Sequence, residues 1–386
     1  MAEKREKIFK ITRRLYMKWY YKTLITLAAI VIAFLICSLM IFTVNDDYGL
    51  FYKFFYRGTL LNIDTIFMHL KNAAILFLIA IALTPAFKMK FWNIGAEGQC
   101  LMGALGAVIV MKFMAPSLPI VIAIILELAF ALVFAVIWAV IPAIFKAFFN
   151  TNETLFTLMM NYIAAGIAAA FAFANRTSNT SMDTLWTGEN EHYGWLPTTP
   201  LLKNSYFIVI IVVLIIAALI MVYMKYSKHG YELSVVGGSQ NTARYVGINV
   251  KKVIIRTIIL TGVICGVVGF LVVAGVERKI AEDSIGGMGF TAIIICWTGE
   301  FSVPWMALYS CLISFISAGS ANAISFAANG KLTDGISSIT VGIFFLVLVI
   351  STFFINFKVK IRIPDSINNL FKRKNKAIEE EGANNG

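Results

Sequence analysis

Apolar residues run through this chain in long blocks, broken by short polar stretches. Ten blocks read as membrane spans: about Thr23–Thr43, Phe67–Phe87, Ala96–Val110, Leu118–Phe145, Thr154–Ala174, Tyr206–Tyr223, Val253–Val276, a short run ending at Thr298, Val303–Ala321 and Ile336–Phe357. A spanning helix needs about 20 apolar residues, and most of these blocks approach or exceed that length. The pattern predicts an all-α integral membrane protein of about ten transmembrane helices, with Pro85 closing the second. Ahead of the first span, Ile8, Phe9, Leu15, Trp19 and Tyr20 recur at spacings that predict a helix lying on the membrane surface. The polar stretches set the domains. Residues 1–22 form a basic cytoplasmic segment, 23–357 the transmembrane domain and 358–386 a cytoplasmic tail. Two connections are long, at about 175–204 outside and about 225–252 inside.

Composition sharpens this picture. The chain has 386 residues, of which 59% are hydrophobic and 14% charged, where soluble domains carry about a quarter. The net charge of +12 resides in tails and loops. With ten spans, about 24 of the 33 Lys and Arg fall on the side of both termini, which makes that side the cytoplasm. No soluble domain remains to present a basic groove, so nucleic-acid binding is excluded. Cys37, Cys100, Cys265, Cys296 and Cys311 all lie in apolar segments without a C-x-x-C pair, and there are three histidines. The cysteines read as small buried core residues, and no metal site or disulfide framework is expected.

Polar residues inside the apolar blocks carry the candidate chemistry. Phe91-Trp92-Asn93-Ile94-Gly95-Ala96-Glu97-Gly98-Gln99 places a carboxylate, two amides and two glycines between two spans. A carboxylate at bilayer depth costs about 3 kcal/mol, so it should face protein or a water-filled path. Broken backbone is tolerated there only when buried or lining a cavity. The stretch is therefore either part of a substrate path or a short loop in which Glu97 caps the positive end of the next helix. Asn161 lies at depth in the fifth span, and Glu127 a third of the way into the fourth; each can bond other helices. Asn150-Thr151-Asn152-Glu153 opens the fifth span, with Thr151 or Asn152 as its cap. In the inner connection, Ser239–Tyr245 reads as a short helix bounded by glycines.

A repeat links distant parts. Ile94-Gly95-x-x-Gly98 and Ile285-Gly286-x-x-Gly289 share the pattern I-G-x-x-G, and each precedes a short, glycine-interrupted span. Five spans per half make the halves inverted, and matching short segments then point to a site near the midplane.

Asn93–Gln99 resembles permease subunits of ATP-binding-cassette importers that serve nucleosides, simple sugars and branched-chain amino acids. It is most similar to the nucleoside branch, which depends on a basic membrane lipoprotein. Glu153–Ala164, the Gly238–Ile248 loop and Gly287–Ile293 fit the same family in the same order. The resemblance implies a type II importer permease fold of two inverted five-helix halves. It implies a pore lined by Asn93, Glu97, Gln99 and Asn161; the chemistry of a nucleoside, which needs flat faces for stacking, adds Phe91 and Trp92 to the substrate path. It implies coupling to an ATPase through Gly238, Asn241, Ala243, Arg244 and Gly247. The implied partners are a cytoplasmic ATPase subunit carrying ATP and Mg, a second permease that makes a heterodimer, and an extracellular substrate-binding lipoprotein at a bacterial plasma membrane. The residues agree in one respect: no G-x-x-x-x-G-K-[ST] occurs, so ATP hydrolysis is expected on a partner and this chain is not an enzyme. The rivals are a permease for sugars such as ribose or galactose, and an ion-coupled secondary transporter using Glu97, Glu127 and His69.

Overall fold

The computed structural model describes residues 9–14, 17–44, 48–61, 63–175, 185–186, 194–197, 205–326 and 334–361. Much of the long 175–204 connection, the start of the basic segment and most of the tail lie outside them. The helices are α1 Trp19–Val44, α2 Tyr48–Leu60, α3 Ile63–Lys88, α4 Ala96–Phe113, α5 Ile120–Phe149, α6 Glu153–Asn175, α7 Tyr206–Tyr226, α8 Lys228–Gly238, α9 Gln240–Tyr245, α10 Val250–Val272, α11 Met288–Thr298, α12 Val303–Phe326 and α13 Asp334–Asn356. Four short strands accompany them: β1 Phe9–Arg13, β2 Leu185–Trp186, β3 Lys279–Ile280 and β4 Phe357–Ile361. Among the described residues nine helices are long and apolar enough to cross a membrane, and α11 is a shorter apolar helix. Together they occupy the ten expected blocks, so this is an all-α, multi-pass membrane protein.

The chain divides into two compact units, Met1–Ile41 with Gly342–Gly386, and Phe42–Val341. In the first, β1 and β4 pair antiparallel, with Phe9 opposite Ile361 and Arg13 opposite Phe357. This corrects the expected surface helix over that segment; Ile8 and Leu15 lie outside the described residues. Apolar and polar residues alternate over Phe9–Thr12 and again over Phe357–Ile361. A period of two suits a strand once a partner of the same pattern exists. On α1 the buried residues Ala29, Ala33, Cys37 and Ile41 recur every fourth position and form one stripe.

The second unit is built around α4, α5 and α10, which pack on one another. On α5 the buried face reads Ala123, Glu127, Ala131, Ala135, Ala139 and Ala143. Apart from Glu127 and the also buried Pro142, these are alanines spaced by four on one stripe, and small residues let helices approach closely in a membrane. The limit is Gly269 of α10, where an added Cβ would lie 2.3 Å from the Cys100 carbonyl oxygen. Around this centre α3 contacts α7, α10, α11 and α12, and α6 lies on α4.

Some expectations changed. Pro85 does not end its helix: α3 runs on to Lys88. The end is set by Lys90 in the left-handed region (φ 62°). Phe91 N donates to Ala86 O at 2.9 Å and Lys90 N to Phe87 O at 2.9 Å, the paired bonds of a Schellman motif. The aromatic stretch after Val44 forms helix α2, and the inner connection carries α8 ahead of the expected short helix. Four cysteines are buried, but Cys311 is exposed. An apolar run need not be a buried one where the outer surface of a helix bundle can face lipid.

Candidate functional site

Between α3 and α4 the backbone leaves helical geometry, so its polar groups need other partners. Side chains supply them. Asn93 Oδ1 accepts from Gly95 N at 2.9 Å and from Gln99 Nε2 at 3.3 Å. From α6, Thr157 Oγ1 accepts from Ile94 N at 3.1 Å. One turn later, Asn161 Nδ2 donates to Ile94 O at 2.9 Å, and its Oδ1 accepts from Gly98 N at 2.9 Å. Asn93, Gln99, Thr157 and Asn161 are all buried. The positions i and i+4 on α6 thus form one grip on residues 94–98. α6 is itself anchored: Asn152 Oδ1 accepts from Thr154 N and Leu155 N at 3.1 and 3.2 Å, and Lys146 pairs with Glu153 at 2.8 Å.

Glu97 does something neither sequence reading anticipated. Its Oε1 accepts from Gly287 N at 2.8 Å and its Oε2 from Gly289 N at 2.6 Å. Those N–H groups open α11, where no intrahelical partner exists and the helix dipole favours a negative charge. The carboxylate of one I-G-x-x-G stretch therefore caps the helix that follows the other. Gly289 lets the two approach: an added Cβ would lie 2.5 Å from Glu97 N.

The two aromatic candidates part company. Phe91 is buried in a cluster with Met89, Leu233, Val236, Ala243 and Ile258, which seats α8 and α9. Trp92 is 46% exposed and stacks on Trp297, with ring centroids 5.1 Å apart and planes at 12°. Phe87 meets both indoles edge-on or tilted, and Phe301 meets Trp297. Trp297, itself 41% exposed, and Thr157 were missed in the sequence. An aromatic at the end of a ten-residue apolar run gives no sign of its partner. The spacing of Thr157 and Asn161 was the available signal for the grip.

At the α8–α10 turn, Ser227, Ser239 and Asn249 cap the three helices in succession. Ala243 is buried, while Gly238, Asn241, Arg244 and Gly247 are exposed. Gly247 sits at φ 80° and ends α9. Tyr245 beside them is 92% exposed, so this tip is free to meet a partner. Beneath it, buried His229 contacts Tyr223 Oη through Nδ1 and Thr257 Oγ1 through Nε2, both at 3.0 Å. Thr257 donates onward to Val253 O at 2.7 Å, so it accepts from Nε2–H, and Nδ1 accepts from Tyr223. Burial pulls the imidazole below its ordinary range; Arg256 pulls the same way, and Glu232 opposes. Elsewhere Glu127 is fully buried with neither carboxylate oxygen hydrogen-bonded, and His69 and Lys71 are buried on α3. None of these three joins the grip.

This arrangement clamps a broken backbone, joins two repeated motifs and ties one of them, through Phe91, to an exposed helical tip. Several known proteins are similar to this chain in sequence. The guanosine ABC transporter permease protein NupP of Bacillus subtilis is 26% identical over 283 residues, covering 70% of this chain and 75% of that protein. The nucleoside ABC transporter permease protein NupB of Lactococcus lactis is 26% identical over 326 residues, covering 82% and 86%. The glucose ABC transporter permease protein TsgB13 of Haloferax volcanii is 25% identical over 301 residues, covering 76% and 78%. No solved structure matches. The family model described as branched-chain amino acid transport system / permease component matches residues 65–352, well over half the chain, and the chain belongs to that family.

Proposed function

We propose that this chain is one permease subunit of an ATP-driven importer of nucleosides, built as two inverted halves with both termini in the cytoplasm. The observation that carries this reading is the Glu97 bridge. The two motifs that the repeat assigns to opposite halves meet at one carboxylate, where rocking of the halves would be felt. Asn93, Glu97, Gln99 and Asn161 shape the path, chiefly by fixing its backbone, and Trp92 with Trp297 offers flat apolar faces of the kind a base or sugar ring stacks on. Gly238, Asn241, Ala243, Arg244 and Gly247 form the docking tip for a cytoplasmic ATPase, which holds the ATP and Mg. Phe91 carries motion from that tip to the path. A paralogous permease completes a heterodimer, and an extracellular lipoprotein delivers the cargo.

Nucleosides are favoured by the names of the Bacillus and Lactococcus relatives. A sugar permease is the second reading, favoured by the glucose permease of Haloferax at similar identity. Uptake by vesicles carrying the assembled complex separates them. Labelled guanosine should accumulate with ATP and resist competition by ribose or glucose. Competition by the sugars but not by nucleosides reverses the assignment, and uptake without any co-purifying ATPase removes the ATP-driven reading.

A further inference from the structure

A cavity of about 500 Å³ opens beside the α9–α10 turn, lined in part by Lys228, Glu232, Asn249, Lys252 and Arg256. Three cations face a single carboxylate. Lys228 reaches that carboxylate only loosely, at 4.0 Å and with its own side chain 87% exposed. Lys252 and Arg256 are four residues apart on one face of α10, where like charges repel. Arg256 donates to Tyr223 Oη at 3.1 Å, which uses one of the five donors of its guanidinium. The first turn of α10 lies at the same mouth. Asn249 caps only its Lys252 N, and the other first-turn N–H groups have no intrahelical acceptor. The cleft therefore gathers positive charge and donors around a space large enough for a small anionic group.

Its position suggests the source of that anion. α7 ends at Tyr226, two residues before Lys228, and its last turns leave Met221, Val222 and Tyr226 exposed at 45%, 55% and 74%. α10 begins its span at Val250. One helix of spanning length ends and another begins within a few residues of the cleft's lining, and basic pockets between helices on the cytoplasmic side take lipid headgroups.

We propose that this cleft is a phosphate-binding site filled by the headgroup of an anionic phospholipid, which neutralises Lys252 and Arg256 and steadies the turn carrying the docking tip. Lys251 provides an internal control. It has the same charge and is adjacent in sequence, but its Nζ lies over the Phe148 ring at 4.7 Å and it does not line the cleft.

The test titrates the purified full-length chain in neutral detergent with short-chain phosphatidylglycerol, phosphatidylcholine or inorganic phosphate, reading bound lipid by native mass spectrometry and the shift in melting temperature. Phosphatidylglycerol should bind and phosphatidylcholine should not. Lys252→Gln should weaken binding about fivefold, the effect of one basic residue near an anionic lipid surface. Lys252→Arg should restore it, and Lys251→Gln should leave it unchanged. Inorganic phosphate that competes with the lipid upholds the site with a soluble source, and phosphate without effect upholds it with the lipid source. Equal weakening by Lys251→Gln would reduce the effect to general charge and overturn the site, as would indifference to Lys252→Gln. Loss of the bound lipid whenever the ATPase partner is present would assign the cleft to protein docking and overturn it as well.

Discussion

The two I-G-x-x-G stretches carry the same letters for different physical reasons. In Ile94–Gly98 neither glycine has a positive φ. Gly95 and Gly98 are small because α6 presses on them: added Cβ atoms would lie 3.1 Å from Thr157 Cβ and 2.9 Å from Asn161 Oδ1. In Ile285–Gly289, Gly286 and Gly287 sit at φ 62° and 72°, with no crowding within 3.4 Å of an added Cβ. There the backbone conformation requires glycine. Only Gly289 is crowded, and by Glu97 of the first stretch. One stretch is a clamped acceptor and the other a preformed cradle of N–H groups. The two are complementary, and this is invisible when each is read alone.

Substitutions can break that comparison. The largest effect is expected from Gly289→Ala, because the added methyl meets backbone that cannot swing away. A loss of about 3 kcal/mol in the thermal stability of the purified chain is expected, the upper range for overpacking. Asn161→Ala comes next. It leaves the buried Gly98 N and the part-buried Ile94 O without their side-chain partner, which costs about 2 kcal/mol, and urea or thermal melting should show it. Gly286→Ala should cost about 1 kcal/mol through its left-handed backbone alone. Replacement by Asn, which tolerates that region, should recover part of the loss, whereas at Gly95 Asn should be worse than Ala because space is the constraint there.

The smallest effect is one of pH and lies outside this pair, at His229. Its folded pKa is depressed, so its contribution to stability is complete above the ordinary imidazole pKa and is lost as the pH falls below it. Protonation would give Nδ1 a proton pointing at the Tyr223 hydroxyl, which already accepts from Arg256. Melting temperature should drop on acidification from about pH 7 to 5, and His229→Gln should flatten that dependence.

How much of this was legible in the sequence follows from the range of each interaction. The spans were readable because burial in lipid demands length and apolarity from consecutive residues. The short α11 and its motif were readable from local glycines. That Thr151 or Asn152 caps α6 was readable within four residues, and the structure uses Asn152. The β1–β4 pairing was not, because Phe9–Arg13 finds its partner at the far end of the chain and alone looks equally like a periodic helix. The polarity of Asn93, Gln99 and Asn161 signalled that each needed partners. It could not say that these would be the chain's own backbone, at 2.9 Å on both arms of Asn161. Glu97 was identified as the central charge, but the N–H groups it bonds are about 190 residues away.

The most direct test of the central claim is ATP-driven uptake of labelled guanosine by proteoliposomes containing this chain, its ATPase and its second permease, with wild type set against Glu97→Ala. The variant should assemble and still bind the ATPase but transport at least about tenfold more slowly, equivalent to about 1.4 kcal/mol. Wild-type uptake by the assembled Glu97→Ala complex would contradict it, since the joint between the two motifs would then have no part in transport.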